Sequence, residues 1–475
     1  METRSLKFIR AATGASLLHG SAETLVGRVC TDSRQVQPGD LFCALAGERF
    51  NGHDFLRESA LKGAAAVLAE CGKTIPDLGP CAVLSVPDNT RGALARLAAR
   101  YRRDFSLPVV AVAGSNGKTT TKELIAAVLR QKLATLWSEG SFNNDVGVPL
   151  SLLRLEAFHQ AAVLEAGTNH PGELAPLIGM IAPGLGVLTN IGREHLEFFG
   201  DLEGVAREEG WLAELLPKTG RLFLNGDCAW VGRLAERTQA AVVRVGFTEA
   251  NDWRARRVRL NSQGVRFQVE GPAPDFEGGY SIHLLGRHQV VNALFAIAIG
   301  HQLGLCRAEV ERGLEECRAP KMRLESWNLN GVRVLDDAYN ANADSMLAAL
   351  RTLQDLPCKG RRVAVLGDMA ELGGHSEAAH EEIGRCAAEM GVGQLFAIGR
   401  MAPVMARGAR QAGLHRVLEF ADVDSAGAAV RVFVRSGDVL LLKASRRVRL
   451  ERIGQMLKSA VRKGEFQAAR CACRD

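Results

Sequence analysis

The stretch AVAGSNGKTTT, Ala111 to Thr121, restricts the fold of this chain more than any other segment. It joins Val109 to Ala113, a short apolar run of the kind a buried parallel strand uses, to a segment where Leu124, Ile125, Val128 and Leu129 recur at helical spacing. A glycine-bearing loop between strand and helix turns its backbone N–H groups inward, and the helix adds the positive end of its dipole. Gly114, Ser115, Asn116, Gly117 and Thr120 thus form a candidate phosphate cradle. Lys118 would meet the β- and γ-phosphates of a nucleotide, and the Thr119 hydroxyl would hold Mg²⁺. The usual four-residue spacer would require glycine at Val112, so this is a shorter GxxGKT form. A glycine turn with a chance GKT would not need the order strand, loop, helix.

At 475 residues the chain has room for about three domains. To residue 86, short strands mix with a helical run, Phe55 to Leu68, and with the polar stretch TDSRQVQPGDLFCALAGERFNGHDF, in which Leu41 to Leu45 reads as a strand. Pro87 and Asp88 open a helix, Ala93 to Arg103, that leads into the phosphate-loop strand. From there to residue 315 apolar strands alternate with helices, the pattern of a mostly parallel sheet, with an antiparallel excursion over Trp253 to Val269. Beyond 316 the strands Val332 to Leu335, Val363 to Leu366, Leu395 to Ile398 and Val439 to Leu442 alternate with helices again, without a phosphate loop or a GxGxxG. That suggests a Rossmann-like module with no bound dinucleotide. The expected class is α/β in three domains, 1–86, 87–315 and 316–475.

Charge and cysteine usage narrow the partners. The net charge of +6 arises from 59 basic and 53 acidic residues scattered along the chain. The most basic stretches, 254–259 and 445–452, lack an aromatic stacking platform, so no nucleic acid is expected. Eleven dispersed cysteines without a CxxC read as reduced thiols, and the CxC of Cys471 and Cys473 reads as a frayed tail. METRSLKFIRAATGA has no adequate apolar signal region, and no segment approaches the ~18 apolar residues of a span, so a cytoplasmic protein without membrane insertion is expected.

Ligands of parallel sheets gather at the carboxyl ends of strands. Glu165 follows the run Ala161 to Leu164, Asn190 follows Gly186 to Thr189, and His195 is close by, so all three should converge on the phosphate loop. A carboxylate there suits Mg²⁺ better than a helix cap, whereas His195 on spacing alone reads as structural, because Mg²⁺ prefers oxygen. LDDAYNANADSM places Asp336, Asp337, Tyr339, Asn340 and Asn342 directly after a strand. These could position a nucleotide or charged substrate, with Tyr339 stacked on a base, or form a polar turn that caps a helix beginning near Ser345. LGDMAELG offers Asp368 and Glu371 at the next strand end, and Asn292 in GRHQVVNA is as readily core-satisfied as ligand-facing.

Together these pieces resemble the Mur ligases over nearly the whole chain. The resemblance rests on DSR, PGDLF and GxxxNGH, then GSNGKTTT, FNNDVGVP, EAG, NIGxxHLE and NGD, then GRHxxxN, DDAYNANADSM, LGDMAELG and KAS. YNAN and LGDM point to the members that join D-alanyl-D-alanine to UDP-N-acetylmuramoyl-tripeptide. The DNPR of the member that adds the third peptide residue is absent; Asp88, Asn89 and Arg91 form DNTR in another module. The resemblance implies a UDP-binding, an ATP-binding and a closing Rossmann-like domain, ATP with two Mg²⁺ ions, and a monomer in cytoplasmic peptidoglycan precursor synthesis. It implies Ser33 and Arg34 at the uridine, Asn51, Gly52 and His53 near the diphosphate, and Asn143 and Asn144 toward substrate. Asn292, Tyr339 and Asn340 would surround ATP, Arg323 and Asp337 would act from the closing side, and Thr119, Glu165 and His195 would hold the metals. The implied reaction runs through an acyl phosphate that the amine of the dipeptide then attacks.

The chain departs from the family at Glu209, fourteen residues after His195, where a lysine carbamylated by CO₂ is usual. Glu209 presents an unmodified carboxylate on a shorter arm and is expected to support the second metal directly, without bicarbonate. Ala343, Gln289 and Ala444 are smaller departures. The rival readings are a superfamily ligase acting on the dipeptide muramoyl nucleotide or on folate, and a non-catalytic nucleotide-binding scaffold.

Overall fold

In the computed structural model, which describes residues 1–47 and 50–462, the strand Val109–Ala113 lies inside a nine-stranded sheet. The spatial order is Thr135–Trp137, Ala161–Glu165, Val109–Ala113, Leu185–Leu188, Arg221–Asn225, Ala241–Gly246, Trp253–Asn261, Gly264–Glu270 and Gly278–Ile282. The first seven are parallel, and the last two add in antiparallel fashion. The chain winds to one side of Val109–Ala113 and then crosses to the other, which opens a crevice at the carboxyl ends of the strands. Strand periodicity buries both faces: Val109, Ala111 and Ala113 enter one core, while Val110 and Val112 enter another with Leu124, Ile125, Val128 and Phe295.

The N-terminal residues form a five-stranded sheet in the order Ser16–His19, Ala82–Val86, Ala66–Glu70, Asp40–Cys43, Arg28–Cys30, parallel except for the first strand. One face of this sheet and one face of the nine-stranded sheet share a continuous core through the helix Thr90–Arg102, whose Leu94, Leu97 and Tyr101 are fully buried. The Tyr101 hydroxyl donates to the Leu155 carbonyl at 2.6 Å and accepts from the Glu2 N–H at 2.8 Å, tying the chain start to the middle sheet.

The C-terminal sheet has six strands, in the order Glu325–Leu329, Val332–Asp336, Val439–Lys443, Arg362–Gly367, Gln394–Ile398, Val417–Phe420. Only the first pair is antiparallel, and buried clusters cover both faces.

One expected element differs. The run Phe55 to Leu68 is not one helix: a helix spans Leu56–Leu61, and the strand Ala66–Glu70 begins after a turn. Gly63, at φ +92°, ends the helix in a left-handed conformation that a side chain would resist. The helix expected near Ser345 is present as Ala343–Asp355, with the Asn342 side chain accepting the Ser345 N–H as its N-cap. No helix among the described residues is long and apolar enough to cross a membrane, and the nine cysteines among them are free thiols. Cys471 and Cys473 lie outside the described residues.

Candidate active site

The phosphate loop follows Val109–Ala113 and enters the helix Lys118–Leu129 through Gly117 at φ +85°. No side chain caps that helix, so its first N–H groups remain available to an anion. A Cβ on Gly114, at φ +109°, would lie 2.4 Å from Thr189 Oγ1, and one on Gly117 would lie 3.0 Å from Asn292 Oδ1. The segment 189–192 braces the loop. Ser115 N donates to the Asn190 carbonyl at 2.9 Å, Asn116 N to Asn190 Oδ1 at 3.0 Å, and Gly192 N to Ser115 Oγ at 2.8 Å.

Around the loop sits a knot of buried charge. Lys118 Nζ donates to the Gly114 carbonyl at 2.5 Å and stands 3.4 Å from Glu194 Oε2. Desolvation alone would lower the pKa of Lys118, but the carboxylates of Glu194, Glu209 and Glu165 overcome it and raise the pKa, so the lysine stays cationic. Glu209 Oε2 accepts the Gly114 N–H at 2.7 Å, bracing the loop from behind. Burial first, and the neighbouring Glu194, push the Glu209 carboxyl up to about 8 against the pull of Lys118.

One oxygen on each of Glu165, Glu194 and Glu209 is buried without a hydrogen-bond partner among the described residues. Such oxygens require a proton or a cation. Glu165 Oε1 accepts from Asn143 Nδ2 at 2.8 Å, and Thr119 Oγ1 lies 3.4 Å from Ser141 Oγ. Among the described residues no three His, Cys, Asp or Glu side chains converge closely enough to cage a metal alone. A hard oxygen set of this kind fits Mg²⁺, which characteristically binds to one or two carboxylates together with substrate phosphates.

The C-terminal domain closes the opposite wall. The Arg323 guanidinium stacks 4.2 Å from the Tyr339 ring centroid, and its Nη2 donates to Ser141 Oγ at 3.0 Å. Asp337 Oδ2 pairs with the buried Lys443 Nζ at 2.6 Å, and Asp337 Oδ1 accepts the Leu324 N–H at 3.0 Å. Asn342 Nδ2 donates to Asn116 Oδ1 at 2.9 Å, directly across the domain boundary. Arg193 reaches Asp344 and Glu382, and His195 Nδ1 lies 2.5 Å from Glu371 Oε2. That hydrogen bond, more than any other influence, holds the Glu371 carboxyl below its ordinary value.

These groups line one cavity of about 1500 Å³. It brings together Ser115, Asn116, Gly117, Lys118, Thr119, Thr120, Asn143, Asn144, Glu165 and His195 from the middle domain with Arg323, Asp337, Tyr339 and Asn340. Asn292 faces it too, from the helix His288–Gln302, with Nδ2 donating to Gln289 Oε1 at 2.8 Å. Asn144 Oδ1 caps the following helix by accepting the Gly147 N–H at 2.8 Å. Gly114 and Glu209 stand behind the lining rather than in it.

The structure does not bring Ser33, Arg34, Asn51, Gly52 and His53 into this cavity. Arg34 pairs with Asp32 on the surface, and Asn51 Oδ1 lies 2.8 Å from His53 Nδ1. His53 Nε2 accepts the Glu70 N–H at 3.0 Å, and burial lowers the His53 pKa. Asp368 stands outside as well, accepting the N–H groups of Arg400 and Met401, each at 2.9 Å. Sequence reasoning missed Glu194, Arg193, Ser141 and Lys443. Their visible signals were placement and motif: Arg193 and Glu194 immediately precede His195, Ser141 precedes FNN, and Lys443 ends an apolar run and opens the KAS motif.

Residues 112–300 match the Mur ligase middle domain, residues 322–446 the Mur ligase glutamate ligase domain, and residues 26–102 the Mur ligase family catalytic domain. A UDP-N-acetylmuramoyl-tripeptide–D-alanyl-D-alanine ligase of Escherichia coli is 36% identical over 442 residues, covering 92% of this chain and 95% of that relative. Among solved structures, MurF of Acinetobacter baumannii superimposes with a TM-score of 0.88 at 30% identity, covering 97% of this chain and 99% of that one. MurF of Thermotoga maritima in complex with ADP does so with a TM-score of 0.80 at 27% identity, covering 92% and 98%. The chain belongs to the Mur ligase family.

Proposed function

We propose that this chain is an ATP-dependent carbon–nitrogen ligase that joins D-alanyl-D-alanine to UDP-N-acetylmuramoyl-tripeptide, as a monomer in cytoplasmic peptidoglycan precursor synthesis. The observation that carries this reading is the single cavity in which the phosphate loop, the two buried carboxylates Glu165 and Glu194 and the YNAN segment face one another within one chain. The name of the Escherichia coli relative supports the two substrates, and the ADP of the Thermotoga maritima relative supports ATP at the loop. In this reading residues 1–86 hold the UDP end, 87–315 the ATP, and 316–475 close over both.

Lys118 and the uncapped helix start receive the terminal phosphates. Thr119, Glu165 and His195 would hold Mg²⁺, which supplies positive charge where two anions must meet. The terminal carboxylate of the tripeptide attacks the γ-phosphate, ADP leaves, and an acyl phosphate remains. The free amine of D-alanyl-D-alanine then attacks the acyl carbon, phosphate departs, and the amide is formed. Asn143 orients Glu165, while Arg323, stacked on Tyr339, reaches the Ser141 hydroxyl beside Thr119, so the closing domain touches the metal side of the loop. Closure also excludes the water that would hydrolyse the acyl phosphate. Glu209 braces Gly114 from behind the cavity, and its free oxygen, with that of Glu194, would support the second metal ion.

A coupled ADP-release assay tests the reading, using UDP-N-acetylmuramoyl-tripeptide with D-alanyl-D-alanine or with single amino acids. Release that needs the dipeptide and disappears in Lys118→Ala is expected. Equal release with single amino acids, or none with the full substrate set, overturns it.

A further inference from the structure

We propose that Glu371 is a positioning residue: carried in by the C-terminal domain, it takes the Nδ1–H of His195 and thereby leaves Nε2 as a lone pair facing the phosphate-loop cavity. The two side chains are 176 positions apart in the chain and meet at 2.5 Å. His195 Nε2 lies on the other side of the ring, 3.9 Å from Glu194 Oε2 and among the groups that line the cavity. A neutral imidazole that donates from one nitrogen presents the other as an acceptor, so in that form the partner of Nδ1 fixes what Nε2 can bind.

The contact is a built one. His195 at φ +49° and Glu371 at φ +62° both adopt the left-handed conformation that non-glycine residues seldom take. Backbone strain of this kind persists where the surroundings impose it. Here the Glu197 N–H donates to the Glu371 carbonyl at 3.1 Å, and a Cβ on Gly373 would lie 3.1 Å from Glu197 Cα. His375 Nε2 lies 3.1 Å from the Gly200 carbonyl, so both sides of the boundary are pinned around the pair. Arg447 Nη2, 3.5 Å from Glu371 Oε1, steadies the second oxygen. Glu371 is therefore engaged on both oxygens and acts through His195 rather than on a ligand. The consequence is a coupling: only the closed arrangement sets the imidazole for its role.

This inference rests on the proposed function only in giving His195 a metal to bind. The test uses the full chain labelled with ¹⁵N-histidine, holding ADP with divalent ions removed. The His195 ring signal is identified by its loss in His195→Asn. The wild type is expected to carry its ring proton on Nδ1, Glu371→Ala to lose that pattern, and Glu371→Gln, whose amide oxygen still accepts, to keep it. Mn²⁺ titrated into the ADP complex and followed by electron paramagnetic resonance should bind about 10- to 100-fold more weakly in Glu371→Ala, and near wild type in Glu371→Gln. The thermal midpoint of Glu371→Ala should match the wild type. In a His195→Asn background, Glu371→Ala should add nothing to the loss of Mn²⁺ affinity. An unchanged His195 pattern and Mn²⁺ affinity in Glu371→Ala, or a loss that persists undiminished in the His195→Asn background, overturns the proposal. Failure of the wild type to release ADP would count against the ligase reading and leave these measurements intact.

Discussion

Replacing Arg193 with alanine should loosen the contact between the middle and C-terminal domains without unfolding either. The Arg193 side chain, on the middle domain, donates through Nε to Asp344 Oδ1 at 2.9 Å, and Nη1 meets Glu382 Oε2 at 2.6 Å, both across the boundary. The three side chains are between 28% and 37% exposed, so neither the full value of a buried pair nor that of a solvated one applies. Exposed pairs contribute about 0.2–1 kcal/mol each, and hydrogen bonds to charged groups about 1.5–3 kcal/mol. Two such contacts in one network give roughly 1–3 kcal/mol, which shifts the ratio of docked to undocked domains about 5- to 150-fold. The backbone N–H of residue 193, which donates to Asp344 Oδ2 at 2.7 Å, survives the substitution and keeps the effect toward the lower end. Steady-state ADP release should therefore show kcat/KM lower by about one order of magnitude, with the thermal midpoint unchanged. Glu382→Gln should lose less, and the double variant no more than Arg193→Ala, because the two share one contact. Asp344 is the poorer probe, since it also lies in the first turn of the helix Ala343–Asp355 and favours that helix electrostatically. Added salt should bring the wild type toward the variant. Wild-type kinetics in Arg193→Ala, or a fall in activity that only tracks a fall in thermal midpoint, would refute the reasoning.

Three further outcomes follow from the geometry. Activity should be the same with and without added bicarbonate, and Glu209→Ala should lose it; retention at saturating Mg²⁺ would remove Glu209 from the mechanism. Gly114→Ala should abolish nucleotide binding measured by calorimetry, since its Cβ would meet Thr189 Oγ1 at 2.4 Å and its φ of +109° disfavours a side chain. Asp336, buried at the end of Val332–Asp336, has its carboxyl pushed up to about 6 by desolvation. A folded-state pKa above the unfolded one means that this residue's contribution to stability is present below pH ~4 and disappears as pH rises through about 6. Asp336→Asn, whose amide oxygen can still accept the Ala338 N–H, should exceed the wild type by roughly 1–3 kcal/mol in denaturant unfolding at pH 8. The difference should vanish near pH 4; an equal difference at both pH values would show that ionisation is not its source.

The elements that frame the site were legible because their patterns are local. Val109–Ala113, Ala161–Glu165 and Leu185–Leu188 are apolar runs, the second closing on Glu165, and the glycines between the first of them and its helix leave little choice of loop. The run from Phe55 was harder, since apolar residues in so short a stretch fit a helix and a buried strand alike, and Gly63 decides between them. Of the charged knot, Lys118, Glu165 and Glu209 were expected at the site, whereas Glu194 was not. Glu194 and Glu209 meet only because the short helices Leu196–Phe199 and Leu202–Glu209 fold back on the loop, and no spacing rule encodes that turn. Contacts such as Arg193 with Asp344 or His195 with Glu371 depend on how two domains dock, and each partner alone looks like an ordinary surface charge. At the N-terminal end the dense polar residues attract attention in sequence, and many of them answer one another, as Asn51 does His53 and Asp32 does Arg34.

The unbroken core that runs through the helix Thr90–Arg102 makes one packed unit of the first two sheets. The third sheet is joined to that unit through the stretch of chain between Glu316 and Glu325 and by side chains across the boundary, such as Arg193 with Asp344. A compound that touches only the first two sheets would depend on that unit alone. One that also needs Tyr339, Arg323 or Lys443 depends on how the third domain docks, so weakening the Arg193 contacts would mark which side of the cleft it engages.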